Sequence, residues 1–473
     1  MTTGIVVGSG PNGLAAAVRL ARAGVEVTVL EAAPEVGGGA RSSTDVLPGL
    51  LVDHCSAIHQ IAAASPFLTG LDLARHGLRW RSAPIDCVHP LDDGSAGVLH
   101  RSIEATAGAA GRDGARWRRL LRPVVERFDD VATELLRPIL HPPGHPLTLA
   151  RAGLPCLLPA SSLAAWWRTR PVRALWGGVA AHALHPLERP TTSGVGLMIL
   201  AAGHAHGWVV AEGGSQRITD ALVAELVACG GRVETGVRVT HMRELPSTDV
   251  LLLDVAPSAA ANLLAARLPA RVARAYRRYR HGPGAFKVDF AVEDGVPWTA
   301  DAARQAGTVH LGGTFEEVAG AERAVHGGRM PARPFVLVAQ QYLADPARSA
   351  GDVHPVWSYA HVPNGYDGDA TSAIVAQIER FAPGFRERIV GTAVRSTTEI
   401  ASRNPNHVGG DIIGGASSPR QVVFRPRVAL DPYATGVPGV WLCSASTPPG
   451  AGAHGMCGAN AAESALRWLR RTR

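Results

Sequence analysis

The chain has 473 residues, 46% of them hydrophobic and 18% charged, a length beyond one typical domain and a balance that excludes disorder. Its net charge of +7 rests on arginine, since Lys287 is the only lysine, and no basic face or block precedes the terminal Arg467, Arg470, Arg471 and Arg473, so no nucleic-acid partner is expected. Six cysteines without a C-x-x-C pair predict no disulfide framework and no metal site, and with no secretory signal ahead of the first strand they point to the cytoplasm.

Residues 4–7 are a short apolar run ending in Gly8, the pattern of a buried parallel strand. Leu14, Ala17, Val18 and Ala21 then recur at helical spacing, Gly24 closes that helix, and residues 25–30 form a second strand. Strand, helix and strand in so short a span open a doubly wound α/β sheet. The turn between them, Gly8-Ser9-Gly10-Pro11-Asn12-Gly13, is G-x-G-x-x-G in the context its mechanism requires. Gly8 permits the tight turn, Gly10 lets the backbone approach a pyrophosphate, and Gly13 lets helix pack on strand. With Pro11 and Asn12 they open a helix whose free N–H groups face phosphates. Glu31 ends the second strand, where a carboxylate accepts the ribose hydroxyls and repels a 2′-phosphate, which disfavours NADP.

Residues 115–137 read as helical until Pro142, Pro143 and Pro146. Between residues 149 and 184 apolar stretches alternate with arginines and carry Trp166, Trp167 and Trp176; the Trp166 to Trp176 region, with Arg168, Arg170 and Arg173 between apolar residues, is a candidate surface for peripheral membrane contact. The longest charge-free stretch, residues 190–211, contains His204, His206 and several glycines and is a poor bilayer span. Gly213-Gly214-Ser215 precedes an amphipathic helix with Ile218, Ala221, Leu222 and Leu226 on one stripe, stopped by Gly230 and Gly231. Residues 237–240 and 250–254 read as strands. Phe286, Val288 and Phe290 alternate with Lys287 and Asp289, the pattern of a half-buried strand. The tail offers a strand at 440–443, a Gly/Pro-rich turn and a helix from about 456 to 470. Without a linker or internal repeat, the domains are expected to interleave.

Behind Glu31 a second glycine cluster, Gly37-Gly38-Gly39, is followed by Arg41. It resembles the extended motif that carries the chain under the pyrophosphate in glutathione-reductase-like FAD folds. With His54-Cys55-Ser56-Ala57-Ile58-His59, Gly282-Pro283-Gly284-Ala285-Phe286-Lys287-Val288-Asp289, Ala339-Gln340-Gln341, Asn404-Pro405-Asn406, Gly409-Gly410-Asp411 and the tail from Ser444 to Gly458, the chain resembles the phytoene-desaturase-like branch of the FAD-dependent amine-oxidase superfamily. The resemblance implies FAD and a Rossmann-like doubly wound FAD-binding domain (residues 1–70, 210–280 and 415–473). Interleaved with it would be an α+β substrate domain (71–209 and 281–414). It further implies that Ser56 and His59 lie near the flavin ring, that the backbone of Val239 meets the adenine, and that the helix start at Gly455 and Met456 faces the pyrimidine edge of the flavin.

The activity so implied is oxidation of a lipophilic small molecule by hydride transfer to flavin N5, with oxygen or a quinone as the electron acceptor, since no second nicotinamide site is visible. Two other readings stand beside it: an amine oxidase, in which Lys287 reaches the flavin through water, and a flavin-stabilised binding protein without turnover. Lys287, His59 and His454 are the catalytic candidates. Each has a plainer alternative, pairing with Asp289 for Lys287 and hydrogen bonding in the core for the histidines.

Overall fold

The computed structural model describes residues 1–472. Its first sheet has five parallel strands in the order Val440–Leu442, Val250–Leu253, Thr3–Val7, Glu26–Leu30, Arg232–Glu234. Alternate residues of each strand bury on opposite faces. Val6, Val27, Val29 and Leu252 pack under three helices, Pro11–Ala21, Gln216–Ala228 and Met456–Thr472. Ile5, Val7, Leu251 and Leu253 pack under Pro257–Leu264 and Ala270–Arg277. Helices on both faces leave Val250–Leu253 and Val440–Leu442 wholly apolar, as a parallel sheet requires, while polar residues gather towards the edge strand Arg232–Glu234. The C-terminal helix crosses the first helix so closely that a Cβ at Gly458 would stand 1.8 Å from the Asn12 carbonyl oxygen.

The second sheet has seven strands in the order Ile389–Arg395, Gly284–Glu293, Val353–Val362, Val336–Ala339, Ala306–Leu311, Ile85–Pro90, Ala96–Leu99. Only the pairing of Ala306–Leu311 with Ile85–Pro90 is parallel. Helices between residues 103 and 206 cover one face, and Thr371–Phe381 lies against the other.

Four expectations need correction. The strand expected at 237–240 lies instead at Arg232–Glu234, and the later residues leave the sheet as the Val237 N–H donates to the Glu31 carbonyl. The Gly284–Glu293 strand is buried on both faces, because its polar side chains meet charged partners rather than water. The helical stretch at 115–137 is two helices, Gly114–Val125 and Phe128–Leu135. Trp167 and Trp176 sit in the core, and Trp176 Nε1 donates to the Ala160 carbonyl at 2.8 Å, so they present no surface to a membrane. No single helix among the described residues is long and apolar enough to cross one.

Candidate dinucleotide and substrate site

Register brings Val7 level with both Leu30 and Leu253, so Gly8, Glu31 and Asp254 emerge side by side at the carboxyl edge of the first sheet. This is where strand order reverses, the place at which such sheets bind ligands. Gly8 turns the chain with φ of +102°. A Cβ on Gly13 would fall 2.1 Å from the Gly8 carbonyl oxygen, so helix and turn touch backbone to backbone. Gly10 faces a neighbour that sequence reading missed: its Cβ would stand 2.8 Å from Asp254 Oδ2. That oxygen accepts the Gly13 N–H at 2.9 Å in a buried place, and burial pushes the carboxyl up to about 7. The available signal was an acid directly behind a wholly apolar strand.

Glu31 Oε2 accepts the Ser9 N–H at 2.9 Å and the Ser9 hydroxyl at 2.6 Å, while Oε1 accepts the Ala33 N–H at 2.8 Å. A carboxylate has about four acceptor positions, so one on Oε1 is left for a ribose hydroxyl. Arg41 stands 3.5 Å from the same oxygen and is held by the Glu35 carbonyl at 2.8 Å. The second glycine cluster lies against the first, with a Cβ at Gly38 falling 3.1 Å from Gly10 Cα; Gly39 lies over His407 and gives its carbonyl to the Ser56 N–H. Asn406 ties the turn from far along the chain, its Oδ1 accepting the Ala256 N–H at 2.8 Å and its Nδ2 donating to the Asp254 carbonyl at 2.9 Å.

Behind Ser56 and His59 is a buried polar network that the sequence did not reveal. Asp53 accepts from the Ser42 hydroxyl (2.6 Å), the Ser215 N–H (2.7 Å) and Arg348 Nη1 (2.8 Å). Burial opposes its ionisation, but Arg348 and these donors hold the carboxyl below the usual carboxylate range. The Ser215 hydroxyl donates to the Ser56 carbonyl at 2.7 Å, so its oxygen accepts from His59 Nε2 at 2.8 Å. That assigns the tautomer. Burial pushes His59 down to about 4, leaving a neutral ring whose Nδ1 stands 3.4 Å from the Ser56 hydroxyl. His454 is likewise neutral, pushed down to about 4 by burial. Its Nε2 donates to the Ala451 carbonyl and its Nδ1 accepts the Met456 N–H, both at 3.0 Å. It therefore caps the last helix, and Gly455, with φ of +71°, makes the turn into it.

These parts open into one cavity of about 1380 Å³, larger than the roughly 300–1,000 Å³ of an ordinary small-molecule site. It runs from Glu31 and Val239 past Ser56, His59 and His454. Beyond them it enters a chamber walled by Leu149, Leu184, Met198 and Ile199 and closed by Trp208 and Tyr359. Ile139, Leu154 and Leu157 line it and are also exposed, which places its mouth among them. Asn12 Oδ1, His54 Nε2, Gln60 Oε1, Trp357 Nε1 and Ser444 Oγ belong to lining residues and are buried without hydrogen-bond partners. Such orphans call for a polar ligand. Lys287 does not line this cavity. It is buried behind the wall, paired with Asp289, which also binds Arg395, and its ammonium lies 5.4 Å from the centre of the Trp357 ring. Burial pushes Lys287 down to about 8 against the opposing charge of Asp289.

Residues 6–68 match the NAD(P)-binding Rossmann-like domain family. The chain is 23% identical to the pyridine nucleotide-disulfide oxidoreductase domain-containing protein 2 of Rattus norvegicus, over 98% of this chain and 93% of that one. It is 31% identical to the hydroxyneurosporene desaturase of Cereibacter sphaeroides, over 52% and 55%. Among solved structures, an oxidoreductase from Methanosarcina mazei superposes with a TM-score of 0.62 at 15% identity, covering 98% of this chain and 100% of that one. Putrescine oxidase bound to putrescine gives 0.59 at 17% identity, covering 99% of each. The resemblance to phytoene-desaturase-like oxidoreductases thus holds. The chain carries a nucleotide-binding Rossmann-like domain over residues 6–68 and shares its overall fold with these oxidoreductases.

Proposed function

We propose that the cofactor is FAD and that the protein oxidises a neutral, lipophilic small molecule beside the flavin. The observation that carries this reading is the single cavity joining the dinucleotide loop to an apolar chamber. The residues present fit FAD: Glu31 keeps one acceptor for a ribose hydroxyl, Gly10 and Gly13 let the turn and the helix start close tightly on Asp254 and Gly8, and orphaned polar atoms of Asn12, His54 and Ser444 await partners along the same wall. Bound there, FAD would take up a hydride from a carbon–hydrogen bond, and a quinone or oxygen would reoxidise it.

The chain's own part is binding, orientation and exclusion of water. Arg41 adds positive charge beside the pyrophosphate loop, and Val239 lines the adenosine end. Ser56 and His59 are held rigid by Ser215 and Asp53 at the boundary between cofactor and chamber. His59 Nδ1 is a neutral acceptor there, suited to taking a hydrogen bond rather than carrying charge. The acids that line the cavity, Glu31, Glu35 and Asp254, all lie at its dinucleotide end. A substrate ammonium would find no carboxylate in the chamber, which favours a neutral substrate over an amine. Purified protein should be yellow and release FAD on denaturation; release of a nicotinamide dinucleotide instead would overturn the assignment.

A further inference from the structure

The chamber is mostly apolar, and at one end His182, half-buried, lines it next to the fully buried Thr308. His182 Nε2 stands 3.2 Å from His310 Nε2, and His310 Nδ1 stands 3.5 Å from the Cys87 sulfur. The helix before this pair is notched to admit it: a Cβ at Gly178 would lie 2.8 Å from His310 Nδ1 and 2.6 Å from His89 Nδ1. Leu184, which also lines the cavity, has φ of +45°, a conformation costly for a branched side chain and one that gathers at ligand sites. Thr308 and His310 are two apart on one strand, so their side chains share a face. The buried Thr308 oxygen accepts Trp208 Nε1–H at 2.9 Å and so fixes that ring in the chamber wall.

His182 Nδ1 has no hydrogen-bond partner among the described residues. The two facing Nε2 atoms share a single proton. With that proton on His310, His182 carries its own on Nδ1 and donates there; with it on His182, Nδ1 accepts. Burial pushes His182 down to about 3 and His310 well below its ordinary range, so neither ring offers a charge. We propose that this end of the chamber is a subsite for a neutral oxygen function, a hydroxyl or carbonyl, on the substrate, with His182 Nδ1 as its partner. The proposal rests on the reading of the chamber as a lipophilic substrate site.

The test is equilibrium binding to the FAD-loaded protein, read by the flavin absorption spectrum and tryptophan fluorescence. The probes are a linear C20 isoprenoid alcohol and the hydrocarbon of the same chain. A site built to hydrogen-bond a hydroxyl discriminates against the analogue lacking it, and wild type should prefer the alcohol by at least about tenfold. His182→Phe keeps an aromatic ring and removes both nitrogens; it should erase the preference while still binding the hydrocarbon, and His182→Gln should restore part of it. A wild type that binds both probes equally, or a preference that survives His182→Phe, overturns the subsite and leaves the lipophilic reading standing. Binding of neither probe overturns both.

Discussion

The Asp254 carboxylate stands beneath the dinucleotide turn, 2.9 Å from the Gly13 N–H, at the spot where a Gly10 side chain would have to go. Gly10 is thus kept a glycine by the protein itself as well as by any pyrophosphate above it. Gly10→Ala should therefore cost FAD occupancy even though alanine is small, and Gly10→Ala combined with Asp254→Ala should recover part of it. Flavin content per protein, measured after purification, checks this. A double variant as empty as the single one would assign the clash to the cofactor alone.

The same carboxylate predicts a pH dependence. Its folded value, raised by burial to about 7, lies above the unfolded one. Its neutral form is therefore favoured in the fold, and the stability it contributes is present at low pH and lost as pH rises towards 7. An ionised Asp254 would also repel a pyrophosphate. FAD affinity should fall as pH is raised through about 7, and Asp254→Asn should flatten that profile. Titration of apoprotein with FAD at pH 6 and pH 8 reads the effect; a wild-type profile already flat would contradict it.

Lys287 is buried with Asp289 and Arg395. Lys287→Met leaves Asp289 with one cation instead of two, and removing a partner from a buried charge cluster costs about 3–5 kcal/mol. The melting temperature should drop, with rates of flavin reduction and reoxidation per bound FAD nearly unchanged. A slowing of about tenfold, or 1.4 kcal/mol of barrier, in either half-reaction would place the ammonium in the chemistry instead.

Leu154 and Leu157 at the cavity mouth are 66% and 60% exposed, and Leu147 and Leu158, near them in the chain, are 78% and 42% exposed. No acidic residue occurs between Glu134 and Glu188, whereas Arg137 and Arg151 do. An apolar rim with basic flanks suits an anionic bilayer surface. The protein should float with anionic liposomes at low salt, and Leu147→Ser with Leu158→Ser should reduce this without lowering stability beyond about 0.5 kcal/mol. Absence of wild-type flotation would retire membrane contact.

How much of this the sequence disclosed follows from how local each signal is. Gly8, Gly13 and Glu31 could be placed because a turn and two strand ends are fixed by neighbours in the chain, and the helix stripe Ile218 to Leu226 was legible for the same reason. Asp254, Asn406 and the Asp53–Arg348–Ser215 network were not, since their partners lie hundreds of residues away. Lys287 shows the limit most sharply. Alternation placed it correctly opposite Phe286 and Val288, but alternation cannot say whether the polar face meets solvent, a ligand or, as here, two buried charged partners. The tryptophans misled because arginines beside them on the helix surface suggested an interface, while tertiary packing drew Trp167 and Trp176 inward.

The chamber beyond His59 is where a neutral lipophilic molecule would be oxidised. That oxidation is tested most directly by adding linear polyenes, amines and amino acids anaerobically to the flavin-loaded protein and following the flavin absorbance. Bleaching by a polyene, and not by amines or amino acids, is the predicted result. Bleaching by an amine alone would turn the account to amine oxidation, and a flavin that no compound reduces while the polyenes still bind would contradict catalysis in that chamber.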